Sequence, residues 1–134
     1  MKGKDWLVAV FVLAIAALGG CGRSETTATH DVPLEPIKVV LEVMPTTVPS
    51  GSPVTFTAKV THQGENVDDA QEVMFEFWNI ADETAEHSKV KVKSAGDGTY
   101  VLEHKFDEPG TYEVISHVTA RDQHSMPSKP FTVE

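Results

Sequence analysis

The chain has 134 residues, 11 of them Lys or Arg against 20 Asp or Glu, for a net charge of −9 with neutral histidines. That balance argues against nucleic acid as a partner, because phosphate contacts need Lys and Arg, and against an electrostatic hold on anionic lipid headgroups. One cysteine rules out an internal disulfide, so packing alone must hold any folded domain.

Residues 1–20 read as a lipoprotein signal peptide. Lys2 and Lys4 form a short positive region, and Trp6 to Leu18 then runs without a charge. That run is too short to span a bilayer as a helix and fits a signal-peptide core. It ends at Leu18-Gly19-Gly20-Cys21. Small residues before a lone cysteine resemble a bacterial lipoprotein processing site, which implies cleavage before Cys21 and lipidation of that residue. The alternative is an ordinary signal peptide with an incidental cysteine. Two or more acyl chains anchor a protein to a membrane stably without spanning it. Residues 21–36 comprise the lipidated cysteine and a polar stretch without apolar periodicity, the character of a tether. His30 within it is expected to be solvated.

Residues 37–134 are expected to form one domain with one core. Its segments alternate in twos, without helical periodicity. Strands are expected at 37–44, 54–61, 72–79, 89–94, 99–106, 111–120 and 130–134. In the second, Val54, Phe56, Ala58 and Val60 alternate with Thr55, Thr57, Lys59 and Thr61, the pattern of a half-buried strand. Asp97-Gly98 and Glu108-Pro-Gly110 are turn signals. About seven short strands at this spacing argue for an all-β, antiparallel immunoglobulin-like β-sandwich. Gly110-Thr-Tyr112 fits a tyrosine corner, and no Cys–Trp–Cys core is present.

The chemistry concentrates in His117-Val-Thr-Ala-Arg-Asp-Gln-His124-Ser-Met126-Pro127. Imidazole serves several transition metals, and thioether sulfur favours Cu(I). In an exported protein, that pairing points to copper. Pro127, with its fixed φ, stiffens the pair that presents Met126. The loops after the second and sixth strands of such a sandwich emerge at one end. His62 opens the first of these loops and His124 and Met126 lie in the second, so with His117 four candidate metal ligands converge there. With Val114 and Val118 inward, Ile115, His117, Thr119 and Arg121 face outward, as do Met74, Glu76 and Trp78 on the neighbouring strand. His104 is expected to be structural and His87 to be solvated, with His87 as a further metal ligand the alternative. There is no nucleophile elbow, phosphate loop or zinc-finger spacing, so neither an enzyme nor a small-molecule substrate is expected.

Residues 36–134 resemble the YtkA-like family of bacterial exported and membrane-bound proteins. The matching residues are Gly64-Glu-Asn-Val67-Asp-Asp-Ala70-Gln-Glu-Val73-Met-Phe75, Gly98-Thr-Tyr100, Gly110-Thr-Tyr112 and the run from His117 to Pro127. The resemblance implies a membrane-anchored β-sandwich, in some members a copper-delivery factor for cytochrome c oxidase assembly. Carried onto this chain, it implies ligands at His117, His124 and Met126, supported by Arg121.

The expected protein is thus lipid-anchored on the extracytoplasmic face of the cell membrane. It binds copper as a metallochaperone-like factor for cytochrome c oxidase or envelope copper handling, and passes the metal to an acceptor protein. The alternative is a metal-free immunoglobulin-like module that docks to an envelope protein through Met74, Trp78 and Ile115. Zinc or nickel held by the histidines alone is a third reading.

Overall fold

A computed structural model describes residues 34–134; the signal peptide, Cys21 and all of the tether up to Pro33 lie outside the described residues. The strands are β1 (Lys38–Met44), β2 (Thr47–Val48), β3 (Pro53–His62), β4 (Glu65–Asn66), β5 (Glu72–Asn79), β6 (Ser88–Lys91), β7 (Ser94–Gly96), β8 (Thr99–Lys105), β9 (Gly110–Ala120), β10 (Gln123–Ser125) and β11 (Ser128–Val133). One sheet has the order β1-β3-β8-β7, with β4 paired to β3. The other has the order β2-β11-β9-β5-β6, with β10 paired to β9. This is the two-sheet division of an immunoglobulin-like sandwich. The pairings are antiparallel except for β2, which runs parallel to β11 through Thr47↔Thr132 and Val48↔Val133.

The apolar halves of the alternating strands meet between the sheets. Val54, Phe56, Ala58 and Val60 from β3 face Phe75, Val114, Val118 and Ala120 from the opposite sheet, each with no measurable exposure. Phe56 is the hub, its ring centre 5.8 Å from Phe75, 5.7 Å from Phe77, 6.3 Å from Phe106 and 5.4 Å from Phe131. His104 lies in this aromatic cluster, 4.7 Å from Phe77 and 4.8 Å from Phe106, in keeping with a structural role.

Two phenols close the ends of the sandwich. Tyr112 donates to the Glu108 carbonyl at 2.8 Å, which is the expected tyrosine corner. Tyr100 donates to the Val67 carbonyl at 3.0 Å and accepts from the Ala70 amide at 3.1 Å, pinning the β4–β5 connection. The β7–β8 turn places Asp97 and Gly98 at φ +54° and +71°. Glycine is required at the second position, because a Cβ there would stand 2.6 Å from the Val60 carbonyl oxygen.

The inward face of β9 has one flaw. The Ser116 hydroxyl is fully buried and has no hydrogen-bond partner among the described residues. An unpaired buried hydroxyl carries a desolvation penalty that alanine removes. Ser116→Ala is therefore expected to raise unfolding stability by about 1 kcal/mol in chemical denaturation.

The largest departure from the sequence expectation lies after β9. In place of the loop expected over residues 121–129, the chain reverses in two residues. Arg121 and Asp122 both have positive φ, +52° and +57°. Such turns match the right-handed twist of the flanking strands, so β10 continues the ladder beside β9. Gln71 secures the turn, donating to the Asp122 carboxylate and accepting from the Asp122 amide, both at 3.2 Å.

Candidate metal centre

The two-residue turn moves the candidate ligands from a loop end onto a sheet surface. In the β5–β9 ladder Glu72 lies opposite Thr119, Met74 opposite His117, and Glu76 opposite Ile115. On the other side of β9, His124 lies opposite Thr119 and Ser125 opposite Val118. Alternation therefore sends His124 to the same outer face as Thr119, His117, Met74 and Glu76. The ladder resumes at Ser128 opposite Ile115, so Met126 and Pro127 form the irregular step between β10 and β11. The Pro127 carbonyl accepts from the Ser116 amide at 2.9 Å, fixing that step to β9.

His117 and His124 come together, with ring centres 5.9 Å apart and planes inclined by 40°. Nδ1 of His124 lies 2.9 Å from the Thr119 hydroxyl. Met126 is 53% exposed. Met74, directly across from His117, is half-buried.

His62 does not join them. Its Nε2 lies 3.0 Å from the Glu35 carbonyl, which also accepts from the Gln123 side chain at 3.1 Å. Gln123 precedes His124 and turns to the opposite side of β10, where its carbonyl accepts from the Ile37 amide at 3.0 Å. His62 thus sits with the inward-turned Gln123, on the other sheet's side of the strand from His124. Arg121 likewise stays away from the imidazoles and pairs with Asp69 at 2.9 Å. That contact holds the Asp69 carboxyl below its ordinary value and raises the guanidinium.

The organising residue of the face is Glu76. Its Oε1 accepts from Nδ1 of His87 at 2.7 Å and its Oε2 from Nε2 of His117 at 2.5 Å. The His87 bond, more than any other contact, holds the Glu76 carboxyl below the ordinary carboxylate value; burial opposes this and the His117 bond adds to it. An ionised carboxylate only accepts, so these contacts place a proton on Nε2 of His117 and on Nδ1 of His87. His87 also stacks on Trp78, with ring centres 4.1 Å apart and planes within 7° of parallel. His87 remains exposed, and its ring is held by these two contacts. One sequence signal points toward Glu76: it alternates with Met74 and Trp78, one ladder step from His117. The return of the β5–β6 connection that delivers His87 has no such signal.

Among the described residues, no three His, Cys, Asp or Glu side chains stand close enough together to hold a metal ion.

Fold and face together define a two-sheet, all-β immunoglobulin-like sandwich with an imidazole- and thioether-bearing outer surface. The profile of the YtkA-like family matches residues 31–117, well over half the sequence, and the chain belongs to that family. The match ends at His117, so β10 and β11, with His124 and Met126, lie beyond it. No curated protein sequence matches the chain. Among solved structures, an engineered protein is 15% identical with a TM-score of 0.54, covering 72% of this chain and 20% of its own. This chain thus spans about a fifth of that protein's length. A computationally redesigned β-sandwich protein is 17% identical with a TM-score of 0.50, covering 75% of this chain and 95% of its own. The soluble domain of PmoD from Methylocystis sp. ATCC 49242 is 15% identical with a TM-score of 0.47, covering 73% and 90%. At such identities the likenesses to the engineered protein and the redesigned β-sandwich speak to the fold alone.

Proposed function

We propose that this protein is a lipid-anchored, extracytoplasmic carrier of Cu(I), which it binds as cargo on the outer face of β5, β9 and β10 and passes to an acceptor protein. The observation that carries this reading is the pairing of His117 with His124, rings 5.9 Å apart, on a face that also presents Met74, with the exposed Met126 following His124 in the chain. Two imidazoles with thioether sulfur suit a soft monovalent ion, and an exposed methionine at the rim suits ligand exchange rather than storage. His87, joined to His117 through Glu76, is better placed than His62 to take part. The signal sequence and Cys21 support membrane attachment through lipid, outside the cytoplasm. Family membership supports delivery toward an oxidase copper centre or another envelope copper protein. No reaction is assigned to the protein.

The docking alternative is less well supported. Met74, Trp78 and Ile115 are half-buried, and His87 covers one face of the Trp78 ring. Replacement of Met126 by leucine separates copper from zinc or nickel. Met126→Leu keeps the apolar volume and removes the sulfur. Cu(I) affinity, measured by competition with a chelator, is expected to fall about tenfold, roughly 1.4 kcal/mol. Zn(II) binding is expected not to change. Equal Cu(I) affinity in the two proteins would remove Met126 from the ligand set.

A further inference from the structure

The copper-binding face holds a carboxylate that copper binding alone does not explain. Glu76 is 9% exposed, and both of its oxygens are occupied by imidazoles. Among the described residues, no lysine or arginine forms an ion pair with it. Burying an anion is costly, and although Lys89 lies opposite it in the β5–β6 ladder, its neighbours on this face include Met74, Trp78 and Ile115. An apolar side chain would pack there at lower cost, so stability alone gives no reason for glutamate.

We propose that Glu76 is a positioning residue of the metal site, accepting the Nε2 proton of His117 so that Nδ1 of that ring is the ligating nitrogen, while its other oxygen locks His87 against Trp78. This inference rests on the copper reading of the face. A carboxylate on the far nitrogen of a ligating imidazole fixes the tautomer and ring orientation and makes the ligating nitrogen more basic. One carboxylate here serves two imidazoles, so the β5–β6 connection, which carries His87, is tied to the same anchor as His117.

Glutamine tests the role, because it offers one carbonyl and one amide donor where glutamate offers two acceptors. With Glu76→Gln, one of the two histidines must switch tautomer or lose its bond. The full chain in detergent is titrated with Ag(I), a redox-silent monovalent probe for soft ligands, and its imidazole nitrogens are followed by 15N NMR. The wild-type protein is expected to carry the His117 proton on Nε2 and to bind Ag(I) through Nδ1. Glu76→Gln is expected to weaken Ag(I) binding about tenfold, the lower end of what such supporting residues contribute. Glu76→Met is expected to bind weakly as well, while melting no lower than the wild-type protein.

Glu76→Gln binding Ag(I) as tightly as wild type, with the His117 tautomer unchanged, would overturn the assignment and leave the copper reading standing. Weaker binding accompanied by an equal loss of thermal stability in both variants would also overturn it, since loosening β5 would suffice. A wild-type protein in which Ag(I) fails to perturb His117 and His124 would remove the copper reading and this inference together.

Discussion

The double variant His117→Ala, Met126→Ala is expected to bind Cu(I) at least about a hundredfold more weakly than the wild-type protein, a loss of roughly 2.7 kcal/mol. His117 stands between the other candidate ligands, opposite Met74 in the β5–β9 ladder and with its ring 5.9 Å from that of His124. Removing it leaves His124 as the one imidazole on that side of the face. Removing Met126 takes away an exposed methionine. Neither side chain belongs to the core between the sheets, so the variant is expected to fold. Glu76 keeps its bond from His87 after His117 is lost. A chelator competition with an unchanged circular dichroism spectrum checks the prediction, and unchanged stoichiometry and affinity would sink it.

The second large effect concerns the scaffold. Phe56→Ala is expected to cost about 3–5 kcal/mol, the range for removing a fully buried phenyl ring. The Phe56 side chain has no exposure and touches four other phenylalanine rings, three from the opposite sheet and Phe106 just after β8. Domains of this size hold only about 5–15 kcal/mol in total, and no disulfide compensates here. The result expected in urea or guanidinium is a transition shifted far toward low denaturant, or a chain already unfolded without it. A change below about 1 kcal/mol would mean that the ring is not the hub between the sheets.

The same alternation that makes β3 readable also makes the sandwich readable. Val54, Phe56, Ala58 and Val60 fall on one face because strand side chains repeat every two residues, and all four are buried as expected. Tyr112 is legible for a related reason, since a tyrosine just after a Pro-Gly turn has a near backbone acceptor at Glu108. The turn after β9 is not legible. Arg121-Asp122 lacks the Asn-Gly or Asp-Gly signature of a two-residue hairpin, yet both residues adopt positive φ. That single difference moves His124 from a loop end to a sheet face and separates it from His62. The pairing of β2 with β11 leaves no trace in the sequence because two residues carry no periodicity.

The candidate site is legible in its ligands and not in what holds them. His117, His124 and Met126 stand out as residue types, whereas a glutamate among outward-facing positions reads as a solvated charge. Only the register, Glu76 one step from Met74↔His117, together with the return of the chain at His87, reveals a buried carboxylate clasped by two imidazoles. Parity does place Met74, Glu76 and Trp78 on the face of His117, and the ladder has them there.

The most direct test of copper carriage is a Cu(I) titration of the protein under a competing chelator, with imidazole and methionine methyl signals followed by NMR. Saturable sub-micromolar binding of one ion, with shifts at His117, His124, Met126 and Met74 while His62 and His104 stay still, is the predicted result. Absence of saturable binding, or shifts spread evenly over all the histidines, would contradict copper carriage.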